Sequence, residues 1–309
     1  MRHDAETGVP STGHAECDRA IRESQQGLAE RGAVIVGSGC FRSGGLCGSL
    51  HTDFGPEDQD KGANQDYVLA WRPHLAAARE GLRFAVALGD GLTTSFRSEY
   101  ASALACWVAL RTVVEGDPET DPKTLASRAF NAAGEAIGGL ADELDVDPQA
   151  SCPPGQFLST WKYILRKGAL FQTTLTLAWL DQNAMYMAMV GDGGALWRTY
   201  GSGRKEAGRV LAACDLDSQR VNALGPSERC VREFDCWREE TLNGPFLCAL
   251  HTDGVGRGLG SNPLVLLDEL EYLDAQGEGN AAQQFIERAI KERPKEYGDN
   301  LTLAVIRAD

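Results

Sequence analysis

The chain has 309 residues, 43% of them hydrophobic and 24% charged, the proportions of a folded protein with one large core or two modest ones. Its net charge of −14 disfavours a nucleic-acid backbone or an anionic membrane as partner, because both reward stripes of Lys and Arg; it suits bound cations as well as plain solubility. No apolar run is long enough to span a bilayer, and the opening MRHDAETGVPSTGHAECDRA lacks an apolar signal core, so a cytoplasmic location is expected.

Residues 1–32 read as a polar leader, partly disordered, with a short helix near Asp18 to Arg31; residues 33–309 read as a single domain. AVIVGSGC is a predicted strand, followed by the glycine-rich SGGLCGS and, past the polar GPEDQDKGANQD, by the strand YVLAW. Arg83 to Leu88 form a buried strand that ends in Gly-Asp-Gly, and Ser95 to about Val114 a helix with Tyr100, Leu104, Trp107 and Val108 on one side. A second helix covers about Pro122 to Glu143, and Asp145 to Lys167 is a connecting excursion broken by Pro153 and Pro154. Strands follow: LFQTTLTLAWL and AMYMAMVGDG around the turn DQN, then ALWRTYGSGR and PFLCALHTDG. Helices near Pro263 to Asp274 and Asn280 to Arg293 precede a last strand, NLTLAVIRA. Strands at both ends around two groups of helices indicate an α+β domain.

The nine cysteines form no CxxC pair and no zinc spacing. Cys106 and Cys248 lie in apolar runs and read as packing groups, and nothing requires Cys40 and Cys47 to pair. His51 and His74 read as solvated loop residues, His251 as a satisfied core residue.

Four aspartates share a layout. Asp90, Asp192 and Asp253 each close an apolar run and precede glycine; Asp299 opens a strand. Any one alone is ordinary turn chemistry. Together, at rigid strand ends, they form an oxygen-only donor set of the kind Mg²⁺ and Mn²⁺ prefer, with glycine allowing a backbone carbonyl to approach. Asn64-Gln65-Asp66, opening another strand, adds outer-sphere candidates.

The order of motifs resembles the metal-dependent protein phosphatases of the PP2C (PPM) family. Asn64-Gln65-Asp66, Asp90-Gly91 with Ala101-Ser102, Thr173-Thr174-Leu175, Val190-Gly191-Asp192, Ala223-Leu224-Gly225, Thr252-Asp253-Gly254 and Asp299-Asn300-Leu301-Thr302 occur in the family's order, across roughly residues 33–307. The resemblance implies a four-layer α-β-β-α sandwich of two antiparallel sheets, with a metal cleft at one edge. It also implies two tightly bound Mn²⁺ or Mg²⁺ ions and a looser third. Asp90 would bridge two of them and Gly91 lend its carbonyl, Asp253 and Asp299 would complete the first, Gln65 and Asp66 would serve the second, and Asp192 would help hold the third. The implied activity is hydrolysis of phosphoserine and phosphothreonine in proteins by a metal-bridging hydroxide, without a phosphoenzyme intermediate. The implied protein is monomeric, with a phosphoprotein substrate made by a Ser/Thr kinase.

Several positions depart from the family pattern. Lys61 stands where the family often has a phosphate-anchoring Arg, and a lysine offers a point charge without the bidentate fork. Thr93-Thr94 replace a usual Gly-Gly, Leu92 a His found in some members, Gly193 a Ser and Gln172 a Gly. These changes resemble a divergent bacterial branch. They also motivate an alternative: a catalytically weak member that binds a phosphorylated partner as a regulatory module. A phosphatase for a small-molecule phosphate is a third reading.

Overall fold

A computed structural model describes residues 2–3, 10–11, 15–43, 45–54, 64–73, 81–92, 95, 97–143, 171–182, 184–201, 204–212, 222–226, 234–260, 262–276 and 280–308. A short pairing of β1 (Arg2–His3) with β2 (Pro10–Ser11) precedes helix α1 (Ala15–Arg31). The strands are β3 (Gly32–Val36), β4 (Gly39–Ser43), β5 (Leu46–Asp53), β6 (Tyr67–Pro73) and β7 (Leu82–Gly89), then β8 (Leu175–Asp181), β9 (Ala184–Val190), β10 (Gly194–Gly201), β11 (Arg204–Lys205), β12 (Arg209–Ala212), β13 (Cys236–Thr241), β14 (Phe246–His251) and β15 (Leu301–Ala308). Helices α2 (Ser98–Glu115) and α3 (Pro122–Glu143) follow β7; α4 (Asp253–Leu259), α5 (Val265–Ala275) and α6 (Ala281–Glu292) lie between β14 and β15.

Two antiparallel sheets face each other. One runs β13-β9-β8-β7-β6-β3; the other runs β11-β10-β14-β15-β5-β4, with β12 also on β10. Alternation along each strand divides the apolar residues between two layers. Phe84, Val86 and Leu88 of β7 point between the sheets, where they meet Phe246, Cys248 and Leu250 of β14 and Ala304 and Ile306 of β15. Ala85 and Ala87 point the other way, into a layer built from α1, α2 and α3. Leu303 and Val305 of β15 likewise face α5 and α6. Strands covered on both faces have no polar face to show, which is why β7, β8, β14 and β15 appear in the sequence as mostly apolar runs. The result is the four-layer sandwich, α-β-β-α.

α1 contributes Ile21 and Leu28, both fully buried, to the helical layer. His51 lies inside β5, half-buried against Ser38, so the expectation of a solvated loop residue is corrected: the glycine-rich segment before it is a strand, and Gly48 makes room there for the Phe41 ring. His251 is buried, with Nδ1 3.0 Å from the Thr252 carbonyl, as a packed core residue. Cys106 and Cys248 are free and buried, and burial pushes their thiols up, Cys248 to about 12, away from the reactive thiolate. His74, Lys61, Thr93-Thr94 and the excursion at 145–167 lie outside the described residues. Among the described residues no helix is long and apolar enough to cross a membrane.

Candidate metal centre

Antiparallel pairing brings the motif-bearing strand ends to one edge of the sandwich. Tyr67 pairs with Gly89, so Asp66 and Asp90 are neighbours; Leu175 pairs with Val190, which sets Thr174 beside the turn carrying Asp192. In the other sheet His251 pairs with Leu303 and Thr302 with Thr52, which places the start of α4 beside the segment entering β15.

Carboxylate oxygens of Asp90, Asp192 and Asp253 all lie within 4.8 Å of one another. Asp66 completes the wall from behind. Its Oδ2 accepts from Thr252 Oγ1 at 2.9 Å and Thr302 Oγ1 at 2.8 Å, while its buried Oδ1 meets no hydrogen-bond donor. Thr252 occupies the N-cap position of α4, but its hydroxyl does not cap the helix. It donates to Asp66 and accepts from the Thr302 amide, joining the two sheets behind the acidic cluster. Asn64 and Thr52 extend this web through a 2.9 Å bond, and Thr52 Oγ1 lies 2.8 Å from Thr302 Oγ1.

The other motifs serve the backbone. The Asp90 carbonyl accepts from the Thr174 amide at 2.8 Å and Thr173 Oγ1 at 3.0 Å, and Thr173 pairs with Leu224 in both directions. Thr173-Thr174 and Ala223-Leu224-Gly225 thus pin the mouth of β7. The Gly91 amide donates to the Gln65 carbonyl, which Ser102 Oγ also reaches at 2.6 Å. A Cβ on Gly91 would stand 2.8 Å from Ser98, and one on Gly254 2.1 Å from the Asn300 carbonyl, so both motif glycines permit close backbone approach. Gly191, at φ +106°, has its amide held by Asp235 at 2.8 Å, which fixes the turn presenting Asp192.

Every cluster carboxylate is held above its ordinary range. Burial raises Asp66 to about 7 against the pull of its two threonine hydroxyls. Burial, then the charges of Asp66 and Asp253, raises Asp90 well above normal. Asp253 is raised to about 6 by burial and Asp192, with Arg257 opposing, and Asp192 is raised chiefly by burial. Carboxylates so close cannot all be charged unless cations neutralise them. An oxygen-only donor set, converging acids and a buried carboxylate oxygen without a donor together fit divalent metal ions.

Two expected site residues stand differently. Asp299 is tied to Asp253 through Arg257, whose guanidinium contacts both carboxylates, Asp299 Oδ2 at 2.9 Å. Gln65 gives its amide N–H to Ser98 Oγ at 2.7 Å, and its buried Oε1 meets no donor. The sequence reading did not single out Arg257, Thr52, Ser98 or Asp235. Arg257 stands four residues after Asp253, a spacing that by itself reads as a routine helical pair.

Two stacked antiparallel sheets between helical layers, with converging acids at one edge, form an α-β-β-α sandwich. The sequence model of the protein phosphatase 2C family matches residues 57–280, and the chain belongs to that family. Its fold is similar to solved structures that share little of its sequence. A serine-threonine phosphatase 2C from Toxoplasma gondii is 12% identical with a TM-score of 0.63, over 90% of this chain and 99% of that one. The Mycobacterium tuberculosis serine/threonine phosphatase PstP/Ppp is 18% identical with a TM-score of 0.56, over 85% and 99%. The catalytic domain of a serine threonine protein phosphatase PstP in complex with 2 manganese ions is 19% identical with a TM-score of 0.57, over the same shares. No curated protein sequence matches the chain.

Proposed function

We propose that this chain is a Mn²⁺- or Mg²⁺-dependent phosphatase acting on phosphoserine and phosphothreonine in proteins. The observation that carries the reading is the convergence of Asp90, Asp192 and Asp253, with the donorless Oδ1 of Asp66 behind them, in a chain of the protein phosphatase 2C family. Asp90, Asp253, Asp299 and the Gly91 carbonyl would hold one ion, Asp90 with Asp66 and Gln65 a second, and Asp192 a third. When bound, divalent ions supply a nucleophilic water near neutral pH and neutralise the phosphoryl oxygens of an in-line displacement.

The chain's own part is to hold and orient. Thr252 and Thr302 fix Asp66 through its Oδ2 and leave Oδ1 without a donor, and Thr173-Thr174 fix the Asp90 backbone. Cys106, among the described residues, is buried with its Sγ toward the Tyr67 carbonyl, and burial holds it well above the ordinary thiol range, so it offers no covalent nucleophile. The hydrolysis is read as direct, without a phosphoenzyme: water adds to phosphorus and gives up a proton to solvent, and the ester oxygen leaves with its bond electrons and takes a proton from solvent. The substrate is a phosphoprotein, the product of a kinase reaction. Lys61 is proposed as a phosphate anchor, by charge alone.

The test is hydrolysis of phosphothreonine, phosphoserine and phosphotyrosine peptides across a Mn²⁺ titration. Activity on the first two is expected to require Mn²⁺ and to fall at least about a hundredfold in Asp90→Asn and Asp253→Asn, the scale of losing an electrostatic catalytic group. Metal-independent turnover, or full activity in both variants, would refute the reading. No turnover at any Mn²⁺ concentration, with retained phosphopeptide binding, would favour the regulatory-module alternative.

A further inference from the structure

Arg257 sits where a cation is needed. Its guanidinium spans Asp253 and Asp299, carboxylates from two separate elements: the first turn of α4 and the segment entering β15. Both belong to the donor set proposed above. We infer that Arg257 is an internal counter-cation of the metal centre: it holds Asp253 and Asp299 together before metal enters, and it leaves them when divalent ions bind. The inference rests on the metal-centre reading.

Three observations support it. The guanidinium engages both acids at once, and its fork suits two carboxylates better than an ammonium would. The charges of Asp90 and Asp192 also act on it, so it answers to the whole cluster and not to one helical neighbour. Burial differs sharply across the contact: the Arg257 side chain is 56% exposed, while Asp253 is 9% and Asp299 27% exposed. Arginine therefore reaches the acids from the solvent rim, and a change of rotamer removes it without disturbing the core. A carboxylate oxygen pointed at a guanidinium is not available to a metal, so arginine and metal compete for the same atoms. Arg257 is thus a positioning residue whose two effects oppose each other. It preassembles the pair, and it weakens the net affinity of the ions that replace it.

The test compares the full-length wild type with Arg257→Gln and Arg257→Lys by calorimetric Mn²⁺ titration and by thermal melting in chelator and in saturating Mn²⁺. The glutamine variant is expected to bind Mn²⁺ about tenfold more tightly, the ratio of a contact worth about 1.4 kcal/mol. Its chelator-treated form should melt about 2–4 °C lower, while its Mn²⁺-loaded form melts with the wild type. The lysine variant, which keeps the charge but loses the fork, should fall between. A merely structural arginine would lower both melting temperatures and leave Mn²⁺ affinity unchanged or weaker, and that result would overturn the inference. Failure of every protein, wild type included, to bind Mn²⁺ would instead overturn the metal-centre reading beneath it.

Discussion

Asp66 is buried and Asp90 half-buried, each close to other acids, a placement that costs free energy unless protons or cations intervene. Without metal, protons do this. A group raised on folding contributes stability below its unfolded pKa, near 4, and that contribution is lost as pH climbs through the folded value. Asp253 at about 6 and Asp66 at about 7 place the loss between about pH 4 and pH 7. Bound divalent ions demand the ionised forms, so metal binding releases protons and strengthens over the same window. The gap in melting temperature between Mn²⁺-loaded and chelator-treated protein should therefore widen from pH 5.5 to pH 8, as read by paired thermal melts. A constant gap would mean the cluster does not titrate with metal. At this scale the aspartates were legible in the sequence, because each ends or begins a strand. Arg257 was not. An arginine four residues after an aspartate reads as a routine helical pair, and its second partner lies 42 residues further along the chain.

Among the elements, those covered on both faces were the easiest to read, since β7, β8, β14 and β15 are mostly apolar with few polar positions to blur the pattern. Of those missed, β13, β5 and α4 each have a physical reason. β13, CWREET, is an edge strand with exposed charged residues and so lacks an apolar run. β5 begins in glycine-rich sequence, where Gly48 serves Phe41 packing instead of a turn. α4 carries Gly254, Gly256 and Gly258, which argue against a helix by propensity. Packing explains them: Gly254 lets α4 start against Asn300, and Gly258 lies against the Tyr297 ring. Gly254→Ala should thus push Asp253 and Asp299 apart, destabilising the protein by about 1–3 kcal/mol, with weaker Mn²⁺ binding. Gly134→Ala in α3, where an added methyl meets open space, should instead stabilise by about 0.5–1 kcal/mol. Urea melts of the two variants would check both signs.

At the scale of the whole molecule, the fold acts as a frame that brings distant segments to one edge. The intersheet core of Phe84, Val86, Leu250 and Ile306 fixes the spacing of the sheets, and that spacing sets how far Asp66 and Asp90 lie from Asp253. Motif order in the sequence was enough to suggest this architecture, because the motif residues occur where strands end. The linkage through Thr252 and Thr302 was not legible in the same way: it joins one sheet to the other, and no spacing along the chain records a contact between sheets. The edge is proposed to cage divalent ions. The most direct measurement is anomalous diffraction from crystals soaked in Mn²⁺, collected at the manganese edge. Adjacent peaks should touch Asp90, with Asp253 and Asp299 on one of them and the Arg257 guanidinium withdrawn. Saturated crystals with no peak among these aspartates would contradict the proposal.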